Sequence, residues 1–146
     1  MKKVFALLFA LSIGLGMISC SSDDDSSSTP QFTIVGTWKV TQAYFNGIEQ
    51  NVADVCIYKG TAQFINGGTY VENKFDLNDA DVCVQGDAIG GTWAKSGNNY
   101  TLTFNSGQTS NLLNNTFTTV LNSDNINKFE VVSTAGGTTR LIFTKQ

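Results

Sequence analysis

Residues 33–45 read Thr-Ile-Val-Gly-Thr-Trp-Lys-Val-Thr-Gln-Ala-Tyr-Phe, and this stretch decides the fold. Ile34, Gly36, Trp38, Val40 and Tyr44 fall on one side of it, with Thr37, Lys39 and Thr41 on the other. A period of two sends successive side chains to opposite faces of a strand, so one face seeks a core and the other water. The chain from Gln31 onward repeats this theme. Short runs rich in Thr, Val, Ile, Phe and Tyr are separated by Asn, Gly, Ser and Asp, and none has helical periodicity. The pattern predicts eight strands, at about 33–45, 58–65, 69–77, 91–95, 99–104, 115–121, 126–133 and 138–145. Alternation turns Tyr58, Ala62 and Phe64 inward, then Val71 and Phe75, Trp93, Tyr100 with Leu102 and Phe104, Phe129 with Val131, and Leu141 with Phe143. One apolar face per strand implies one shared core in an all-β, antiparallel domain.

The connections alternate in length as well. Asn66-Gly67-Gly68, Ser96-Gly97-Asn98 and Asn122 to Asn125 read as tight turns, and longer loops lie between them at 46–57, 78–90 and 105–114. In an up-and-down barrel successive connections lie at opposite ends. One end is then closed by hairpins and the other is rimmed by long loops, with the short Thr134–Gly137 connection departing from the pattern.

Ile34-Val35-Gly36-Thr37-Trp38 resembles the start of the first strand of the lipocalins, whose Gly-x-Trp closes the narrow end of the barrel. The rest of the chain is similar to a compact bacterial lipocalin-like domain. A cysteine stands before the second strand, Phe64 to Gly68 forms a Phe-x-x-Gly-Gly hairpin, and a second cysteine comes after it. Gly91-Thr92-Trp93 then leads into Gly97-Asn98-Asn99-Tyr100-Thr101-Leu102. The resemblance covers nearly all of 32–146 and implies a small eight-stranded antiparallel up-and-down β-barrel, with Gly36 and Trp38 at its closed end. In the family a basic residue on the last strand lies over that tryptophan. Here Arg140 sits near the beginning of that strand, at the opposite end, and Lys145 is better placed.

The N-terminal segment has a different character. Lys2 and Lys3 precede an apolar run from Val4 to Ile18, broken only by Ser12, Gly14 and Gly16. It is shorter than the roughly 20 residues of a membrane-spanning helix and fits the apolar region of a secretory signal. Met17-Ile18-Ser19-Cys20 resembles a bacterial lipobox, which implies cleavage before Cys20 and a triacylated, membrane-anchored cysteine. The alternative is a secretory signal cut elsewhere, with Cys20 a bystander. Ser21-Ser22-Asp23-Asp24-Asp25 resembles the acidic signal that exports some Gram-negative lipoproteins to the cell surface. Residues from Ser21 to Pro30 also read as a solvated tether, because Ser, Thr, Asp and Pro cannot form a core. The expected organisation is a signal peptide at 1–19, a lipidated cysteine and tether at 20–31, and a barrel at 32–146. The expected location is the outer face of the outer membrane, with its periplasmic face as second choice.

From Gln31 onward seven Lys and Arg stand against nine Asp and Glu, with no basic patch, so nucleic acid is not an expected partner. With Cys20 lipidated, Cys56 and Cys83 remain, and an even number in an exported domain argues for a disulfide. A metal site through these thiols lacks further ligands, since the chain has no histidine. The same absence removes Ser-His and Cys-His nucleophile systems, and no Gly-rich phosphate loop opens a helix. No enzymatic activity and no cofactor are expected. Asp76, Asp79, Asp81 and Asp87 cluster around one loop, but their spacing is not that of a calcium loop. They read as a solvated acidic loop, with weak calcium binding the alternative.

Two functions remain. In the first, the barrel of a monomeric, membrane-anchored lipoprotein binds a small apolar ligand near its open end, with Tyr44, Tyr58, Phe75, Trp93 and Phe104 as lining residues. In the second, the barrel is filled and structural, and its rim loops bind a macromolecular partner. An eight-stranded barrel is just wide enough for side chains or one small ligand. Interior volume therefore separates the two, and a cavity of about 300 Å³ or more between the long loops favours a ligand.

Overall fold

The structure, a computed structural model, describes residues 31–121 and 125–146. The segments expected to be signal peptide and tether, with Cys20, lie outside these residues up to residue 30, as does most of the stretch 122–125 read as a tight turn. Twelve strands are formed: β1 (Gly36–Phe45), β2 (Ile48–Gln50), β3 (Thr61–Ile65), β4 (Thr69–Asn73), β5 (Phe75–Leu77), β6 (Cys83–Gln85), β7 (Ile89–Ser96), β8 (Asn99–Phe104), β9 (Thr116–Thr118), β10 (Val120–Leu121), β11 (Lys128–Ser133) and β12 (Thr139–Lys145). A one-turn 3-10 helix, Cys56–Lys59, precedes β3.

The main sheet runs β10-β11-β12-β1-β3-β4-β7-β8-β9, with every pairing antiparallel. Its two ends, β9 and β10, are halves of one segment bent at Thr119. β9 pairs with β8 and β10 with β11, so the sheet comes round nearly to closure. The expected eight-stranded, antiparallel barrel is therefore present, with 115–121 serving as one strand shared between two neighbours. The short strands β2 and β6 fall within segments read from the sequence as loops, while β5, which pairs with β6 in a separate hairpin, is the end of the segment read as a strand at 69–77.

Three strands differ in detail from the expectation. The strand read at 58–65 begins only at Thr61, because Tyr58 and Lys59 belong to the 3-10 helix. The segment 69–77 is broken at Lys74, and its phase is shifted by one residue. Tyr70 and Glu72 are fully buried on the inner face, while Val71 faces the other way and is only half-buried. In β1 the register with β12 shifts between Val40 and Gln42. This bulge adds one residue to the strand and flips the faces beyond it. Ala43 is buried in place of Tyr44, which simple alternation turns inward.

Aromatic rings fill the interior. Trp38 meets Phe129 edge-on at 4.8 Å, and Phe129 stacks on Phe143 at 4.8 Å. Phe64 meets Tyr70 at 5.2 Å, and Tyr100 stacks on Phe117 at 5.3 Å. Such pairs contribute about 0.5–1.5 kcal/mol each beyond the area they bury. At the closed end Trp38 donates its indole N–H to the Ile34 carbonyl at 2.6 Å, and Lys145 Nζ lies 5.6 Å from the Trp38 ring. Gly36, at φ +139°, passes directly beneath that lysine stem, where a Cβ would lie 2.5 Å from Lys145 Cε. Arg140 is at the other end of β12, as its position in the chain implies. It pairs with Glu130 at 2.7 Å and lies over the Tyr44 ring at 5.1 Å. The buried core lies between Ile34 and Phe143, so residues 32–146 contain it whole.

Candidate ligand site

Glu72 is fully buried inside the barrel, on an inward position of β4. Its carboxylate accepts three hydrogen bonds: from the Tyr70 hydroxyl at 2.7 Å, from the Ser110 hydroxyl, and from the Asn111 N–H at 3.1 Å. Ser110 Oγ in turn accepts the N–H groups of Leu112 at 3.1 Å and Leu113 at 2.9 Å. A single carboxylate thus fixes the turn that drives Leu112 and Leu113 into the core, each 5% exposed. Charge-assisted hydrogen bonds of this kind are what make a buried carboxylate tolerable. Burial and the neighbouring Glu72 charge push the Tyr70 phenol far above its ordinary value, so it stays a donor. Among the described residues no buried side-chain polar atom lacks a partner.

The loop 105–114 is therefore a plug over the open end. The hollow left beside it measures about 200 Å³ and is walled by Tyr58, Asn111, Leu112, Leu113, Val131 and Leu141. That is below the size of a typical small-molecule pocket, about 300–1,000 Å³.

A larger space lies in the barrel wall. The pairing of β1 with β3 ends at Lys39–Thr61, and its pairing with β2 begins only at Ala43–Gln50. On this side the residues between, Val40 to Gln42, pair with neither strand. The bulge sits at the same place. The result is a lateral groove of about 590 Å³, lined by Lys39, Val40, Val52, Ala53, Tyr58, Lys59 and Phe75. Tyr58, on the 3-10 helix, borders both the groove and the hollow at the mouth. Burial raises its phenol above the ordinary value, so Tyr58 itself is uncharged at neutral pH. Cys56, the first residue of that helix, is disulfide-bonded to Cys83 on β6, with Cα atoms 5.5 Å apart. The bond ties the helix carrying Tyr58 to the hairpin carrying Phe75.

The five residues expected to line a ligand divide accordingly. Tyr58 and Phe75 meet in the lateral groove. Phe104 is half-buried inside the barrel, 5.9 Å from Tyr70. Tyr44 is turned out of the barrel by the bulge and lies under Arg140. Trp93, expected near the open end, sits at the closed end: its indole N–H donates to the Ile65 carbonyl at 3.0 Å, beside the Asn66–Gly68 turn. The acidic loop does not converge either. Asp76 pairs with Lys74 at 2.9 Å and accepts from Asn111 at 2.8 Å, and among the described residues no cluster of three metal-ligating groups exists. No described helix is long and apolar enough to cross a membrane.

Sequence reasoning missed Glu72 and both groove lysines. A signal for Glu72 did exist. Phe64 and Tyr70 face each other across the tight hairpin, so an inward Phe64 requires an inward Tyr70 and, two residues on, an inward Glu72.

Comparison with known proteins bears on the fold. The crystal structure of a lipocalin-like protein from Bacteroides uniformis is 13% identical and superposes with a TM-score of 0.51, covering 77% of this chain and 97% of that one. An uncharacterized protein from Bacteroides eggerthii is 15% identical at a TM-score of 0.47, covering 77% and 98%. No curated protein matches the chain. The family described as lipocalin-like domain matches residues 34–128, from the core residue before Gly36 to the first residue of β11. The chain therefore belongs to the lipocalin-like domain family.

Proposed function

We propose that this is a non-catalytic binding protein, anchored in the outer membrane by lipid on Cys20 and exposed at the cell surface, which takes a small apolar ligand in the lateral groove rather than inside the barrel. One observation carries the ligand reading: an apolar groove of about 590 Å³ stands open beside an interior occupied by aromatic rings and plugged by Leu112 and Leu113. The anchoring part rests on Lys2 and Lys3, the apolar run from Val4 to Ile18, and Met17 to Cys20; surface export rests on Ser21 to Asp25. Native mass spectrometry of the protein from its own host is expected to reveal a retained small molecule. Ala53→Phe, which fills the groove, should abolish that adduct while leaving the melting temperature within a few degrees. An adduct undiminished by Ala53→Phe would move the ligand out of the groove. Incorporation of a palmitate analogue that disappears with Cys20→Ala tests the anchor.

A second reading is favoured by Leu77 (59% exposed), Val82 (54%) and Val84 (39%), which present apolar surface on the β5–β6 hairpin and its turn. Exposed apolar patches of this kind mark interaction surfaces. On that reading the rim docks a macromolecule, and photo-crosslinking from position 82 on intact cells should trap one protein partner.

A further inference from the structure

Two cations flank the lateral groove. Lys39 stands on β1, at the last residue paired with β3, Lys59 ends the 3-10 helix, and both line the groove. Among the described residues neither joins an ion pair, the pairs formed being Lys74–Asp76 and Arg140–Glu130. Glu49 and Asp54, the carboxylates of the segment from β2 to the 3-10 helix, are not among the groove's lining residues. The rest of the groove lining is Val40, Val52, Ala53 and Phe75, with the uncharged phenol of Tyr58. Apolar walls with a few charged groups placed to orient the guest are the general character of small-molecule sites.

A neutral guest would bury the apolar wall and leave both ammonium groups as they are. An amphipathic anion gains from both. Resting on the reading of this groove as the ligand site, we propose that its guest is a single-chain amphipathic anion, a medium- to long-chain carboxylate. Its tail lies along Val52, Ala53 and Phe75, and its head group is held between Lys39 and Lys59. An ammonium is a compact point charge with three donors on a flexible stem, suited to a small carboxylate head that shifts as chain length changes. The site lies in the barrel wall, where β1 leaves β3, and the plugged interior takes no part in it.

The test uses the chain from Ser21 onward, which contains the whole core, titrated with decanoate and separately with decanol, an uncharged analogue of the same chain length. Backbone amide shifts of Val52, Ala53 and Lys59 report groove occupancy. Decanoate should bind about tenfold more tightly than decanol, the combined effect of two solvent-screened ion pairs. In Lys39→Gln/Lys59→Gln decanoate should fall to the level of decanol, whose own binding stays unchanged. The advantage of decanoate should also shrink as salt is raised. Equal binding of decanoate and decanol by the native protein overturns the anionic assignment while leaving the groove a ligand site. If neither compound shifts these amides, the groove is not a ligand site and the function proposed above fails with it. The melting temperature of the double variant, expected unchanged because both side chains reach solvent, separates lost binding from lost folding.

Discussion

Tyr70 donates its phenolic proton to Glu72, 2.7 Å away and two residues along the same strand, and both side chains are fully buried. Residues two apart on a strand share a face, so β4 presents a donor and an acceptor side by side inside the barrel. Ser110 is the third member and the link to the plug. Ser110→Ala should destabilise the protein by about 1–3 kcal/mol, because it leaves Glu72 short of a donor and two amides without an acceptor. It should also accelerate hydrogen exchange at Leu112 and Leu113 more than elsewhere in the barrel. Unchanged exchange at those two amides would mean that the plug is held by leucine burial alone.

The same pair sets the behaviour in alkali. Desolvation and the Glu72 charge raise the Tyr70 ionisation in the folded state well above the ordinary phenol range. A raised group contributes stability that is fully present below its unfolded value and is lost as pH rises toward its folded one. The urea midpoint should therefore hold up to about pH 10 and fall steadily above it. Burial shifts Tyr58 in the same direction. Tyr70→Phe should start from a lower midpoint, having left Glu72 one donor short, but decline less steeply with pH. Parallel declines in the two proteins would assign the alkaline loss to other groups.

At the closed end, Trp38→Ala removes a ring that is 0% exposed and touches Phe32 and Phe129. It should cost about 3–5 kcal/mol. Gly36→Ala separates two effects at a single site. The φ of +139° strains any side-chain-bearing residue, at about 1–3 kcal/mol, whereas the clash with Lys145 involves the far end of a flexible chain that can swing away. Adding Lys145→Ala to Gly36→Ala should therefore recover little stability. Full recovery would make the lysine contact, not the backbone, the reason for glycine.

The disulfide closes a loop of about 28 residues, for which chain entropy gives about 3.5 kcal/mol. Alkylation of Cys56 and Cys83 should appear by mass only after reduction. Replacing both with serine should lower stability by up to that amount. Because the bond joins the helix of Tyr58 to the hairpin of Phe75, decanoate affinity should drop as well. Retained affinity at reduced stability would show that the groove keeps its shape without the bond.

How far the sequence carries can be traced residue by residue. Period-two alternation finds strands wherever one face is buried, so the pairs Ala62 with Phe64, Tyr100 with Leu102, and Leu141 with Phe143 are readable as inward and are buried. The disulfide is readable from cysteine arithmetic. Alternation fails where the inner face is polar. Val71 outranks Glu72 in hydrophobicity, yet the interior takes Glu72 because Ser110 and Asn111 arrive from a loop some 40 residues away to satisfy it. It fails again where register shifts, since the bulge after Val40 leaves no compositional mark and moves Tyr44 to the outside. The groove itself is illegible in the sequence. It arises from β1 parting with β3 at Lys39, a long-range pairing boundary that no local pattern encodes.

Orientation at the membrane yields the last prediction. The chain enters the barrel through Phe32, which meets Trp38 at 5.9 Å and Phe129 at 6.2 Å at the closed end. Strands alternate in direction from there, so the plug loop and the β5–β6 hairpin lie at the far end. Residues 21–31 reach at most roughly 36–40 Å when fully extended. If Cys20 carries the lipid, the closed end faces the membrane and the rim, with the lateral groove near it, faces outward. A cysteine placed at the exposed Asp79, in a variant lacking Cys56 and Cys83, should react with a membrane-impermeant reagent on intact cells. A cysteine at Asn66, exposed in a closed-end turn, should react more slowly, because the bilayer crowds it. Labelling of Asp79 only after the outer membrane is permeabilised would place the protein on the periplasmic face. Equal rates at both positions on intact cells would mean that the barrel tumbles freely on its tether.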